Sequence, residues 1–214
     1  MQGGAGAGAL PRGGAGDPVT GVDWSRGMLD VRERRGADEG LSNVTTVRAA
    51  WTDDWRASGV PEADVVIASR SLAVRDLRAA LEKLTSHARR RVCVPLPEDG
   101  LFFGQLLAHA AVERPVARRG DRPTAVGVLR QMGIEPEVKL LTHASADGHE
   151  TREAAFESLR SRVEPEDERE EEALQRYAAE RLVAVPDHDR GIVWRLEPPV
   201  VVRWAFLAWS TTGS

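Results

Sequence analysis

The stretch that decides the fold is GGAGAGAL at residues 3–10, followed after a short spacer by VTGVDWS at residues 19–25. Glycine has no Cβ and lets the backbone approach a ligand closely. Three glycines alternate with alanine in this way: Gly4, Gly6 and Gly8. Asp23 ends the apolar strand that follows, where an acid can accept hydrogen bonds from both hydroxyls of a ribose. The pattern predicts a nucleotide-binding loop, and a flexible low-complexity tail is the alternative for the glycine run.

Composition sets the broad class of protein. The 214 residues are 42% hydrophobic and 29% charged, which predicts a soluble α/β domain with a substantial core. The net charge of -4 indicates no general attraction to nucleic acid or to an anionic membrane. Cys93 is the only cysteine and predicts a buried thiol without a disulfide. With no apolar run of about 20 residues and no signal-peptide pattern, we expect a cytoplasmic location.

Strand and helix patterns alternate through the first half of the chain, which predicts a mostly parallel sheet. Strands are expected at 19–23, 43–50, 64–69, 91–96, 138–142, 192–196 and 200–210. Helices are expected at 25–39, 71–88, 102–112, 124–132, 151–162 and 166–182. Residues 65–68 are apolar throughout, as in a strand covered on both faces. The last two strands are predicted to pair as an antiparallel hairpin at the sheet edge.

The sequence AWTDDW at residues 50–55 follows the second predicted strand. Adenine carries an amine that the carboxylate of Asp53 can accept from, and a face that the indole of Trp51 can cover. The alternative is that Asp53 and Asp54 cap a short turn.

Other polar groups lie at the same predicted sheet edge. Trp24 can lie against a ribose or adenine, or it can shield the end of the sheet. Asp23 has a second interpretation as a helix cap, although Ser25 offers one too. Ser69 follows the third strand and is expected either near the reacting group or as a helix cap. Arg70 beside it can hold an anionic substrate or form an ion pair.

Several other kinds of site find little support in the sequence. The spacing of His143 and His149 fits no helical pair of metal ligands, so no metal is expected. The chain has no nucleophile elbow, and no Gly-Lys-Ser/Thr follows the glycines as in a P-loop. No residue is identified as a catalytic base.

Together these motifs resemble class I S-adenosylmethionine-dependent methyltransferases. The resemblance covers most of the chain and is densest over residues 4–97, and the ending WAFLAW at 204–209 looks like that family's terminal strand. It implies a Rossmann-like three-layer α/β sandwich with a mostly parallel sheet and a C-terminal antiparallel hairpin. The family's first strand is largely missing here, so the chain resembles an N-terminally truncated member. The segment at 129–134 lies where the family inserts substrate-specific elements.

The resemblance also implies roles for individual residues, with S-adenosylmethionine as cofactor. The three glycines Gly4, Gly6 and Gly8 would approach its methionine part. Asp23 would bind the ribose hydroxyls with Trp24 beside it, and Trp51 and Asp53 would flank the adenine. Ser69 would lie near the methyl donor and the substrate.

The implied function is methyl transfer to a small molecule by a single domain over 1–214. Its parts are a cofactor half at 1–97, helical substrate-side insertions at 98–190 and the strand hairpin at 191–214. The expected partner is the small-molecule substrate, without nucleic acid or membrane, and the chain allows for a homodimer.

One departure from the family pattern keeps other functions open. Gln2 stands where the family has an acid, so the charge that would meet the cofactor's ammonium group is absent at that position. A noncatalytic relative that works as an interaction module is therefore the main alternative. A nicotinamide dinucleotide enzyme fits less well, because the loop is Gly-x-Gly-x-Gly and a terminal hairpin is unexpected there.

Overall fold

The computed structural model describes residues 17–115, 120–145 and 147–211. Its strands are β1 (Val19–Asp23), β2 (Val44–Arg48), β3 (Ala63–Ile67), β4 (Ala88–Pro97), β5 (Glu137–Ala144), β6 (Leu182–Asp187), β7 (Gly191–Leu196) and β8 (Val201–Ser210). Its helices are α1 (Arg26–Asp38), α2 (Leu77–His87), α3 (Phe103–Val112), α4 (Arg122–Gln131), α5 (Arg152–Val163) and α6 (Glu168–Arg181). The predicted α/β class is confirmed. Within the described ranges, no helix is both long and apolar enough to cross a membrane.

The described strands form three sheets. β1 and β2 pair in parallel, with Asp23 opposite Arg48 at their carboxyl ends. A four-stranded sheet has the order β3-β4-β8-β5, in which β3 and β4 are parallel. Strand β8 runs antiparallel to β4, because Thr211 N–H donates to the Arg90 carbonyl at 3.0 Å and Glu98 N–H donates to the Arg203 carbonyl at 2.9 Å.

The predicted pairing of the last two strands is wrong. β7 pairs antiparallel with β6, while β8 lies between β4 and β5 in the other sheet. The turn between β6 and β7 explains the choice: Asp187 Oδ1 accepts from the N–H groups of Asp189 and Arg190 at 3.1 Å each. Gly191 then adopts a φ of +79°, which favours glycine. The C-terminal part of the chain therefore holds an antiparallel hairpin, but one made of different strands.

Strand β3 also differs from its prediction. Val65 and Ile67 are 49% and 66% exposed, whereas a strand covered on both faces was expected. The strand order explains this exposure, since β3 is the end strand of its sheet among the described residues. The helix that follows begins at Leu77 and not near residue 71, because the Asp76 carboxylate caps it by accepting from Ala79 N–H at 2.9 Å.

The chain divides into two compact units. The first contains Met1–Pro95, Val128–Glu137 and Leu207–Ser214, and the second contains Leu96–Gly127 and Val138–Phe206. In the second unit, α3, α5, α6 and the β6–β7 hairpin share one apolar core, which includes Leu107, Leu159, Val163, Leu174, Leu182 and Leu196. The single domain expected over 1–214 stays a prediction.

Arg114 joins three helix ends within the second unit. Its Nε donates to Glu170 Oε1 at 3.1 Å, and its Nη2 bonds the other oxygen of that carboxylate. The same guanidinium donates to the carbonyls of Val163 and Glu164, each at 3.1 Å, where α5 ends. These carbonyls have no partner inside their own helix, so Arg114 caps α5 while it anchors the first turn of α6.

This clamp predicts a pH dependence of stability. Hydrogen bonds from Arg114 and then from Glu166 N–H hold the pKa of Glu170 below its ordinary value of 4.5. A carboxyl with a lowered folded-state pKa stabilises the fold above its unfolded pKa, and this contribution is lost as pH falls through the folded-state pKa. We therefore expect Glu170→Gln to make the free energy of unfolding fall less steeply with acid, below about pH 5.

Urea titrations at a series of pH values measure that slope. The matched control is Glu172→Gln on the same helix. Glu172 is exposed, and its Oε2 lies 3.7 Å from Nη1 of the equally exposed Arg176, so this pair is only a surface contact. The control should keep the wild-type steepness. If Glu170→Gln keeps it as well, the Arg114–Glu170 pair does not contribute to acid sensitivity.

Candidate functional site

Four of the predicted site residues, Asp23, Trp24, Trp51 and Asp53, lie at or just beyond one edge of the β1–β2 sheet, within the first unit. Parallel pairing brings the carboxyl ends of both strands to the same edge. Asp23 ends β1, and its carbonyl accepts from Ala49 N–H at 3.1 Å, directly after β2. Trp24 and the loop with Trp51 and Asp53 follow at once from these two strand ends. This is the edge at which open α/β sheets bind ligands.

The Asp23 carboxylate is half-buried and accepts a hydrogen bond in the turn before α1. Its Oδ1 accepts from Ser25 N–H at 2.8 Å, whereas the Ser25 hydroxyl makes no capping bond. Asp23 therefore forms an Asx turn just before the helix, and among the described residues it does not cap α1, whose N-cap is Ser25. A carboxylate offers about four acceptor positions. In the described part of the chain only Ser25 N–H donates to the Asp23 carboxylate, so this carboxylate has the capacity to accept from two further hydroxyls.

The loop after β2 is held by its own side chains. Asp53 Oδ2 accepts from Ala50 N–H at 2.9 Å, and Asp54 Oδ1 accepts from the N–H groups of Arg56 and Ala57 at 3.0 and 3.2 Å. Both acids thus cap turns, as the alternative interpretation had it. Asp53 is nevertheless exposed and keeps acceptor capacity for a ligand.

Trp51 is half-buried beside a second tryptophan. The rings of Trp51 and Trp55 lie 5.1 Å apart with 34° between their planes. Trp55 is buried, and its indole Nε1 donates to the Ala50 carbonyl at 2.9 Å. Trp55 therefore packs in the interior and holds the loop through its hydrogen bond. Trp51 is more accessible, so it is the indole that can stack on a base.

This loop is tied to the rest of the unit by Lys83, a residue that the sequence patterns did not point to. Lys83 on α2 donates through Nζ to the carbonyls of Trp51 at 2.7 Å and Asp53 at 2.5 Å. The ammonium also lies 5.5 Å from the centre of the Trp55 ring. A weak signal was available, because the chain uses arginine almost everywhere and Lys83 and Lys139 are its only lysines.

Trp24 and Ser69 are the more exposed members of the predicted site. The Trp24 side chain is 60% exposed, and its carbonyl accepts from Arg48 Nε at 3.1 Å. Ser69 is exposed just beyond the carboxyl end of β3, and no hydrogen bond among the described residues joins it to the Asp23–Asp53 group. Arg70 follows with a φ of +56°, a left-handed conformation that is uncommon outside glycine.

The remaining predicted contacts lie outside the described residues. Gly4, Gly6, Gly8 and Gln2 all fall in the segment before residue 17. Their approach to a cofactor stays a prediction.

The second unit has a small cleft of its own. Its volume is about 20 Å³, enough for roughly one water molecule. Its polar lining comes from Ser145, Asp147, His149, Ser158, Arg162 and Arg195. The two arginines are already paired, Arg162 with Asp147 at 2.8 Å and Arg195 with Glu197 at 2.6 Å. The first unit therefore holds the stronger candidate site.

Sequence comparison finds one partial relative. No protein-family model matches the chain. An uncharacterized protein of Haemophilus influenzae (strain Rd) is 43% identical over 89 residues, which are 42% of this chain. The match covers 32% of that protein, so the chain spans about a third of the length of the curated relative it matches.

Solved structures give the fold. A protein of Bacillus halodurans, assigned provisionally as a methyltransferase, superposes with a TM-score of 0.58 at 10% identity, covering 92% of this chain and 84% of that one. The YcgJ protein of Bacillus subtilis does so with a TM-score of 0.54 at 12% identity and the same coverage. The chain has the class I methyltransferase fold.

That fold does not by itself decide the reaction. The cyclase SpnF is also similar, with a TM-score of 0.50 at 14% identity over 91% of this chain and 66% of that one. Function has to come from the site residues.

Proposed function

We propose that this chain binds S-adenosylmethionine at the carboxyl ends of β1 and β2 and transfers its methyl group to a small molecule. One observation carries the proposal. The Asp23 carboxylate is half-buried and has acceptor capacity left over, and the main-chain carbonyl of Asp23 accepts from the N–H of Ala49, the residue that begins the loop with Trp51 and Asp53. This supports a site in which an acid for the ribose and an indole and a carboxylate for the base lie at one sheet edge, on the fold that the Bacillus halodurans protein shares.

The residues present fit the adenosine part of this cofactor. Asp23 would accept from the ribose hydroxyls with Trp24 beside them, and Asp53 would accept from the exocyclic amine while Trp51 covers the base. Gly4, Gly6 and Gly8 would approach the methionine part, and Ser69 would lie towards the methyl group. When bound, S-adenosylmethionine supplies an electrophilic methyl group, which a substrate nucleophile takes as the carbon–sulfur bond breaks. The chain's own contribution is to orient the reactants.

Several companion expectations stay predictions alongside this one. They are a cytoplasmic location, a small-molecule acceptor without nucleic acid, and a homodimer. The noncatalytic alternative rests on Gln2, and binding experiments on the full chain separate it from the enzyme.

The test is calorimetry and thermal melting with S-adenosylmethionine and S-adenosylhomocysteine. We expect saturable heat with both ligands and a raised melting temperature. Ligand at a hundred times its Kd stabilises a protein by about 2.7 kcal/mol, or very roughly 5–10 °C at this size. NAD⁺ is the control for the nicotinamide alternative and should give neither signal. No heat and no thermal shift at millimolar concentrations of either adenosyl ligand would rule out the proposed function.

A further inference from the structure

We infer that Lys83 is a positioning residue that holds the base loop, residues 49–55, in its binding shape and thereby sets the base selectivity of the site. The inference rests on the proposed function. To that proposal it adds a residue on α2, which lies 30 residues or more along the chain from the two carbonyls it bonds. It also adds a property, base selectivity, that can be measured separately.

The contacts of Lys83 close the loop at its tip. The ammonium donates to the carbonyls of Trp51 and Asp53, which flank Thr52. An ammonium has three donors, and two of them are used here. Hydrogen bonds from a charged donor are about twice as strong as neutral ones, so a single side chain fixes both carbonyls.

Lys83 itself stands on a fixed support. Its neighbours Leu81 and Leu84 are buried, so the helix that carries it is packed against the core. One turn later His87 donates through Nδ1 to the Lys83 carbonyl at 2.9 Å, a direction that follows because a carbonyl can only accept. The His87 ring also meets Trp55 edge-on at 5.2 Å. The loop therefore contacts α2 through an aromatic pair as well as through the ammonium.

The bonded carbonyls belong to the two residues whose side chains would meet the base. Where Lys83 holds the backbone of Trp51 and Asp53, it also decides where the indole and the exposed carboxylate lie. The Asp53 carboxylate would accept from the amine of adenine. In hypoxanthine a carbonyl replaces that amine and would face the carboxylate with a second acceptor. Preference for adenine over hypoxanthine therefore reports the shape of the loop.

The main variant is Lys83→Met, which keeps a long apolar stem and removes both donors. Arg78→Met is the matched control, because Arg78 lies on the same helix and pairs only with the exposed Glu82 at 3.1 Å among the described residues. Hydrogen exchange of the ligand-free chains should be faster over residues 49–60 in Lys83→Met and unchanged in Arg78→Met. This measurement needs no ligand.

The second measurement compares Kd values for S-adenosylhomocysteine and S-inosylhomocysteine. We expect Lys83→Met to raise the Kd for S-adenosylhomocysteine about three- to tenfold and the Kd for S-inosylhomocysteine by less, so that selectivity for adenine falls. Lys83→Arg keeps a charged donor and should retain most of the selectivity. Should Lys83→Met fail to fold by circular dichroism, Lys83→Gln takes its place, since one amide donor remains and an intermediate effect is expected.

The outcomes separate the two proposals. Unchanged exchange in Lys83→Met overturns the inference, and so does faster exchange with unchanged selectivity. Absence of S-adenosylhomocysteine binding by the wild-type chain instead removes the proposed function and with it the selectivity role of Lys83. In that case the exchange experiment still decides whether Lys83 holds the loop.

Discussion

Asp23→Ala is expected to weaken S-adenosylhomocysteine binding by about tenfold or more, because hydrogen bonds to a charged group contribute about 1.5–3 kcal/mol and 1.4 kcal/mol is a factor of ten. The carboxylate would bind both ribose hydroxyls, and alanine offers no acceptor. Alanine also removes the bond from Ser25 N–H in the turn before α1, so some loss of stability accompanies the loss of affinity.

Asp23→Asn separates these two effects. Its amide oxygen can still accept from Ser25 N–H, while the charge and half of the acceptor capacity are gone. We expect near wild-type melting with weakened binding. Asp54→Asn is the matched control on the neighbouring loop, because Asp54 caps Arg56 and Ala57 and has no assigned ligand contact. Calorimetry on folded protein gives the Kd values, and wild-type affinity in both Asp23 variants would remove Asp23 from the site.

The part of the site that the sequence predicted depends on local pattern alone. Asp23 and the loop after β2 each follow directly from the end of a short apolar strand. Parallel strands bring such ends to one edge without any further information. Lys83 could not be placed in this way. It lies more than twenty-five residues beyond the carbonyls it bonds, and its role depends on how α2 packs.

The differences between the predicted and the observed fold also arise from long-range packing. Strand β6 was not predicted, because it begins at Leu182, directly after the last residue of α6, and neither glycine nor proline marks that boundary. The decision to form a strand comes from pairing with β7, with Leu182 opposite Leu196. For β3, the apolar run predicted a strand correctly. Whether neighbouring elements cover that strand depends on its position in the sheet, which the run itself does not specify.

The turn before β7 shows that a usable signal was present. Asp187, Asp189 and Gly191 are turn residues, and they lie between two stretches of alternating or β-branched character. The structure uses Asp187 to cap the turn, and Arg190 holds the pKa of its carboxyl below the usual range, mainly by a side-chain hydrogen bond.

Arg114→Met is expected to lower the free energy of unfolding by about 1–3 kcal/mol, because it leaves two helix-end carbonyls without their donor and removes the partner of the Glu170 carboxylate. Arg114 is 22% exposed and Glu170 16%, so water replaces the guanidinium only in part. Methionine preserves much of the apolar stem, so the loss reports the hydrogen bonds more than the packing.

Urea titration at neutral pH measures this loss as a lower midpoint with an unchanged slope. Arg176→Met is the matched control, since Arg176 is 66% exposed and lies 3.7 Å from Glu172, and exposed pairs of this kind contribute about 0–1 kcal/mol. The double variant Arg114→Met with Glu170→Gln should be less destabilised than the sum of the single variants, because the second change removes the charge that the first leaves unpaired. A loss for Arg114→Met no larger than that of the control would mean that the packing of α3, α5 and α6 holds these helix ends without the clamp.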